Sequence, residues 1–367
     1  MSLQVLHLLD VSAPLDAFDL LAVLLANFPP GMHRLAALGH HSTKKMAALA
    51  GIAPASITFL PSAGWADPSG GRAVGRICRA FQPTHVHAWG VSAAIALAAS
   101  RFPGKRIATL ADLPSPQHLR LLHLVNWRGP NRFTWTATLP SLRERLGLPS
   151  VLLTPLAIGG GLTIASAEVD EVAVLKNTLG ISPEEGPIVL LGGEGPRARH
   201  DLGLWVAGIM QHLLPRLRTI VREDPRGRYD AGLERLFYSL ADSDMPILAP
   251  PDIPWRKLVQ VADAMLVTAE SPVPAGSILA AIAAGVPVAA GPTPTVLDLL
   301  QHNVSALIAP SFKPREISAQ LETLLSTPSL GQSIATAARA RYACNTGTVL
   351  DAYNALYATA LPTEVTR

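Results

Sequence analysis

Along the whole chain, short apolar runs bounded by turn-forming residues alternate with longer amphipathic stretches, the pattern of repeated strand–helix units and parallel sheets. In the first half the predicted strands are residues 3–9, 33–38, 57–60, 84–89, 106–110 and 151–154. In the second they are 187–192, 218–223, 246–249, 264–269, 286–290 and 306–309. Helical segments such as LDAFDLLAVLLANF and SLRERLG lie between them. From Lys313 onward the pattern is helical only.

A chain of 367 residues exceeds what one core usually serves, and its 49% hydrophobic and 16% charged residues supply apolar surface for two cores. The expected domains are therefore residues 1–158 and 165–345, with 346–367 a terminal helix that folds back across them. GGGLTI at 159–164 is the linker, because three consecutive glycines inside a core would be costly.

Several classes are disfavoured. Cys78 and Cys344 have no metal-ligand or disulfide spacing around them, so no metal site is expected. The N-terminus lacks a basic region before its apolar run and contains Asp10, which reads as a first strand and a cytoplasmic address. The apolar stretch 275–291 is cut by Gly285 and Pro287, giving a helix and a strand instead of a membrane span. The Asn303 sequon carries little meaning without export. Charge is uneven: residues 1–155 hold 14 Lys or Arg against 6 Asp or Glu, and residues 156–367 hold 16 against 21. A basic first half suits an anionic saccharide, an anionic lipid-linked acceptor or a peripheral contact at the inner face of a membrane; dispersed, solvated charge accounts for it equally. Nucleic acid is disfavoured, since no recognition motif accompanies the charge.

The segment 279–310, LAAIAAGVPVAAGPTPTVLDLLQHNVSALIAP, resembles the donor-site region of family 4 glycosyltransferases, L-E-A-M-A-A-G-x-P-V-V-A, then G-G-x-x-E, then D-G-x-x-G-x-L-x-x-P. PIVLLGGEGP, IPWRKLVQVADAMLVTAES and TPSLGQSIATAARARY extend the likeness in the right order. The resemblance implies an α/β protein with two Rossmann-like domains facing a cleft, the GT-B architecture. It also implies a nucleotide-sugar as substrate, with no cofactor.

Transfer from a nucleotide-sugar needs cations or N–H donors at the departing diphosphate and stabilisation of an oxocarbenium-like centre. The family's Arg and Lys after the first strand of the second domain align with Gly193 and Ala198; Arg197 and Arg199 flank the second position as replacements. Its E-x7-E pair aligns with Pro272 and Ala280, leaving Glu270 as a displaced substitute, and its later acid aligns with Asp298. Gly276 and Ser277 would open a helix whose N–H groups face phosphate; an ordinary Gly-Ser helix start reads the same way. In the first domain Ala111-Asp112 replaces a His-Asp pair, and the glycine-rich loop after the first strand is absent. His87 and Asp112 are the remaining weak catalytic candidates.

Two readings follow. One is a divergent transferase that moves a sugar from a nucleotide-sugar to a saccharide or lipid-linked acceptor. The other is a non-catalytic relative that binds a saccharide, nucleotide-sugar or partner as a scaffold.

Overall fold

The computed structural model describes residues 3–10, 13–29, 31–38, 51–60, 68–128, 133–148, 150–155, 169–182, 186–224, 246–341 and 346–358. It divides into two compact units, Met1–Gly161 with Cys344–Arg367, and Leu162–Ala343. The expected linker at 159–164 lies outside the described residues.

The first unit runs β1 (Val5–Leu9), α1 (Leu15–Asn27), β2 (His33–Leu38), β3 (Ile57–Leu60), α2 (Pro68–Phe81), β4 (His85–Trp89) and α3 (Val91–Ala99). It continues β5 (Lys105–Leu110), α4 (Pro116–Arg128), β6 (Phe133–Ala137), α5 (Pro140–Leu146) and β7 (Leu152–Leu153), and the C-terminal helix Thr346–Ala358 belongs to it. All pairings are parallel, in the order β3-β2-β1-β4-β5-β6-β7. Right-handed crossovers place α1 on one face and α2, α3 and α4 on the other. Helices α2 and α3 approach closely because Gly71 has no Cβ; one built there would stand 2.6 Å from the Ala99 Cβ.

Strand β6 was not expected. Its FTWTA sequence alternates aromatic with β-branched residues, as strands prefer. Buried within the sheet, Thr136 Oγ1 lies 2.7 Å from Thr109 Oγ1, so the hydroxyl is satisfied.

A band of histidines crosses one face of this sheet: strand register puts His7, His33, His85, His87 and Thr109 on the same side. The C-terminal helix covers it with Tyr353 and Tyr357, both buried. The Trp89 Nε1–H can only donate, so His7 Nδ1 accepts at 3.0 Å and His7 Nε2–H donates to His33 Nδ1 at 2.7 Å. His87 is wholly buried, with Nδ1 2.8 Å from the Tyr357 hydroxyl and Nε2 2.7 Å from Thr109 Oγ1. In His7 and His87 both ring nitrogens are thus in use, and both histidines are held neutral. Burial lowers the pKa of His7 and His87 well below the ordinary value and brings His33 and His85 to about 4.

The second unit runs α6 (Val169–Thr178), β8 (Ile188–Leu191), α7 (His200–Gln211), β9 (Arg218–Arg222), β10 (Ile247–Ala249), α8 (Trp255–Leu258) and β11 (Ala264–Val267). It ends α9 (Gly276–Ala284), β12 (Val288–Ala290), α10 (Pro294–Leu299), β13 (Leu307–Ile308), α11 (Pro314–Ser326) and α12 (Pro328–Arg341). Its sheet is also parallel, ordered β10-β9-β8-β11-β12-β13. Val189, Leu191, Leu266 and Ala289 pack against Val206, Met210, Ile317 and Leu321 in one core. No helix among the described residues is long and apolar enough to cross a membrane.

Because the histidine pKa values are lower folded than unfolded, their contribution to stability is full above about 6.5 and declines as pH falls toward about 4. Thermal unfolding across this window should show a falling Tm, with a shallower slope in His33→Asn plus His85→Asn. A pH-independent Tm between those limits would contradict the neutral network.

Candidate functional site

In an open parallel sheet the backbone is paired along the strands, and ligands bind beyond their carboxyl ends where the strand order reverses. That point lies between β1 and β4 in the first unit and between β8 and β11 in the second.

In the first unit the position is filled from within. Asp10, 2% exposed and directly after β1, accepts a hydrogen bond at Oδ2 from the Ala93 N–H in the first turn of α3. A carboxylate there takes up the helix dipole and one of its unpaired N–H groups. His87 is enclosed in the core with both nitrogens bonded, so as a catalytic candidate it has no exposed face for substrate. Asp112, half-buried after β5, accepts from the Leu113 N–H at 2.8 Å.

In the second unit the corresponding position is differently built. After β8, Gly192 sits where a Cβ would stand 2.9 Å from Val267 Cγ2, and Gly193 adopts φ +94°, which strains any other residue. The Gly193 N–H donates to Ser277 Oγ at 2.9 Å, joining this loop to the first turn of α9. Thr268, just past β11, donates to the Arg199 carbonyl at 2.8 Å. Helix α9 opens at Gly276, as expected, and Ala275 before it provides no side-chain cap. Ser277 is buried and serves the loop, whereas Gly276 is partly exposed.

Arg199 precedes α7 with φ +55° and ψ 46°, a left-handed conformation that a side chain rarely adopts. Its guanidinium is gripped on one edge by Asp201, Nε to Oδ1 at 2.9 Å and Nη2 to Oδ2 at 3.3 Å, while Nη1 meets Glu270 Oε1. The Asp201 hydrogen bond raises the Arg199 pKa further above its ordinary value. Arg199 and Glu270, 71 residues apart, are therefore brought together at the strand ends. Arg197 is half-exposed in the turn Pro196–Ala198, and Asp298 is half-buried on α10. Pro272 and Ala280 are buried and offer no side-chain hydrogen-bonding group.

Sequence reasoning missed a cluster beneath this site. Arg222, closing β9, donates Nη1–H to Glu194 Oε1 at 2.9 Å, Nε–H to the Ile253 carbonyl at 2.7 Å and Nη2–H to the Pro251 carbonyl at 2.9 Å. Trp255 Nε1–H donates to the same Glu194 oxygen at 2.7 Å, and its ring lies 5.0 Å from the Arg222 Cζ. The pair ties the loop after β8 to the segment before α8. One available signal was an arginine directly after the apolar pair Ile220-Val221 at the end of the strand RTIVR.

No family model and no curated relative matches the sequence. Solved structures do match. The Anabaena protein HepE, crystallised with UDP and glucose, shares 15% identity at a TM-score of 0.77, over 98% of this chain and 100% of that one. Sucrose-phosphate synthase from Thermosynechococcus elongatus gives 14%, 0.68, 98% and 100%. WaaG, a glycosyltransferase involved in lipopolysaccharide biosynthesis, gives 12%, 0.69, 97% and 100%. The chain has the GT-B fold. Identities this low show the architecture and leave the chemistry to the residues.

The Arg222 and Glu194 side chains are 0% and 4% exposed, so removing one strands the other's charge. Arg222→Ala should cost about 3–5 kcal/mol, and Trp255→Phe, which loses one bond to a charged acceptor, about 1.5–3 kcal/mol. Chemical denaturation measures both; a loss below about 1 kcal/mol for Arg222→Ala would mean that the pair does not hold this loop.

Proposed function

We propose that the chain is a divergent family 4 glycosyltransferase, which moves a sugar from a nucleoside diphosphate donor held by the second unit to a saccharide or lipid-linked acceptor. The observation that carries this reading is the arrangement at the β8/β11 switch point. There the start of α9, a glycine at φ +94° bonded to its Ser277, and the loop that carries Arg199 come together. These groups favour a diphosphate: N–H groups and a helix dipole bind anionic oxygen, and an arginine neutralises charge as the leaving group departs. HepE, of the same fold, was crystallised with UDP-glucose, which makes a uridine diphosphate sugar the first donor to test.

Arg199 is the principal cation in this reading and Arg197 a second one, with Gly276 presenting its N–H. Ser277 acts by fixing the Gly193 loop. Glu270 and Asp298 are the carboxylates left for sugar or ribose hydroxyls. Asp10 closes the matching place in the first unit, which leaves that unit to the acceptor. A cytoplasmic protein whose basic first unit makes a peripheral membrane contact accords with this division, as do the charges of the two halves.

One observation favours the second reading, a non-catalytic relative that binds without turnover. Pro272 and Ala280, at positions where the family uses carboxylates, present only buried apolar surface. A donor held by backbone and arginine alone would bind, yet lack side chains to orient its sugar.

A thermal-shift series with UDP-glucose, GDP-mannose and ADP-glucose, followed by donor-hydrolysis and transfer assays, separates these readings. A ligand present at a hundredfold excess over its Kd stabilises the fold by about 2.7 kcal/mol. We expect a shift with one donor class that is lost in Arg199→Ala, and turnover with that donor. A shift without turnover selects the scaffold. A shift untouched by Arg199→Ala removes that arginine from the site, and no shift with any nucleotide-sugar refutes the transferase reading and leaves the scaffold to a saccharide or partner.

A further inference from the structure

The membrane contact in the proposed function requires a surface, and α2 supplies one. Arg72, Arg76 and Arg79 fall at i, i+4 and i+7, on one face of the helix, and all three are exposed. The opposite face buries Ala73, Val74 and Cys78 against the unit. Two further exposed arginines adjoin them. The Arg34 guanidinium carbon lies 4.4 Å from the centroid of Phe81, the last residue of α2. Arg101 follows Ser100, whose carbonyl oxygen stands 3.4 Å from the point where a Cβ on Gly75 would be, and Arg79 Nη1 lies 3.7 Å from that same point.

Arg34, Arg79 and Arg101 gather where α2 and α3 end and β2 begins, at the pole of the sheet opposite the carboxyl ends that hold Asp10, and Arg76 and Arg72 continue the row one and two turns back along α2. Among the described residues none of the five makes an ion pair, and β2, α2 and α3 contain no Asp or Glu. Neighbouring basic residues are used internally: Lys105 Nζ donates to the Leu356 carbonyl and Arg106 Nε to the Phe102 carbonyl at 3.0 Å. Two of the five also have local roles, Arg79 as a cation in the last turn of a helix, which suits its dipole, and Arg34 over the Phe81 ring.

We infer that this arginine face docks on a bilayer containing anionic lipid. The residues between and beside the arginines are Ile77, Ala80, Phe81 and Gln82, and Phe81 is covered by Arg34. A nucleic-acid strand would call for open aromatic platforms as well as charge, and a saccharide for amide or carboxylate partners to its hydroxyls. A surface of phosphate headgroups asks for cations spread over an area, which this face provides. The contact is electrostatic and is screened over about 8 Å at physiological salt.

Cosedimentation of the full chain with vesicles tests it, using phosphatidylcholine alone and mixed with phosphatidylglycerol. Binding should require phosphatidylglycerol and fall as salt rises. Arg72→Glu plus Arg76→Glu should weaken it at least tenfold, while Arg143→Glu plus Arg145→Glu, which changes charge equally on exposed residues of α5, should leave it within about twofold. Circular dichroism of both variants checks folding, and the milder Arg72→Gln plus Arg76→Gln, expected to weaken binding by several-fold, replaces the first if it misfolds. Equal losses in the two charge reversals, no binding by the wild type, or tighter binding to single-stranded RNA than to mixed vesicles would each overturn the assignment. A chain that binds UDP-glucose and no vesicles loses only this contact; one that binds vesicles and no nucleotide-sugar loses only the transferase reading.

Discussion

Every backbone N–H and carbonyl inside a parallel sheet buried on both faces is committed to its neighbours. Unpaired polar groups therefore collect where strands end and helices begin, and only where the strand order reverses do two such ends part far enough to admit a ligand. This chain builds that situation twice, between β1 and β4 and between β8 and β11. What distinguishes the two units is where the carboxylates near each switch point are directed. In the first, Asp10 lies against the start of α3. In the second, the residue before α9 is Ala275, whose side chain supplies no cap, and the nearby carboxylates of Asp201 and Glu270 are turned to Arg199. In the proposed reading an external anion is received in the second unit, whereas the first presents its own carboxylate.

The supporting structure has the same logic. Gly193 can hold φ +94° because it lacks a side chain, and its N–H is anchored by Ser277 from the neighbouring helix. Glu194, the next residue, turns inward to a buried ion pair with Arg222, which also gathers the carbonyls of Pro251 and Ile253. The glycine loop is thereby fixed at two consecutive residues. The strain at Arg199, which carries φ +55° without being glycine, sits in the one loop where a cation facing an anionic ligand would be of use.

Much of the fold was legible because parallel strands buried on both faces must be apolar and short. LQVLHLL, PIVLLG and AMLVTA announce themselves on that ground alone. FTWTA did not, since its threonines find partners only after β5 is beside it. The C-terminal helix was recognisable as a helix, but its attachment depends on Tyr357 meeting His87 across 270 positions, which no local pattern encodes. In the candidate site, Arg199 and Glu270 were singled out only through the alignment with the family 4 pattern, and Gly276 as a helix start after a strand. Asp201 was not singled out, because an acid in the first turn of a helix has an ordinary explanation. Glu194 and Arg222 were not paired for the same reason as Tyr357 and His87: the meaning of each side chain lies in a distant partner.

The central claim is that a nucleoside diphosphate sugar occupies the β8/β11 switch point and not the β1/β4 one. Hydrogen–deuterium exchange with and without saturating UDP-glucose reads this residue by residue. The account requires slowed exchange at amides 192–199 and 268–279, with 90–95 at the start of α3 unchanged. Protection confined to the first unit, or to neither segment of the second while the ligand is bound, would contradict it.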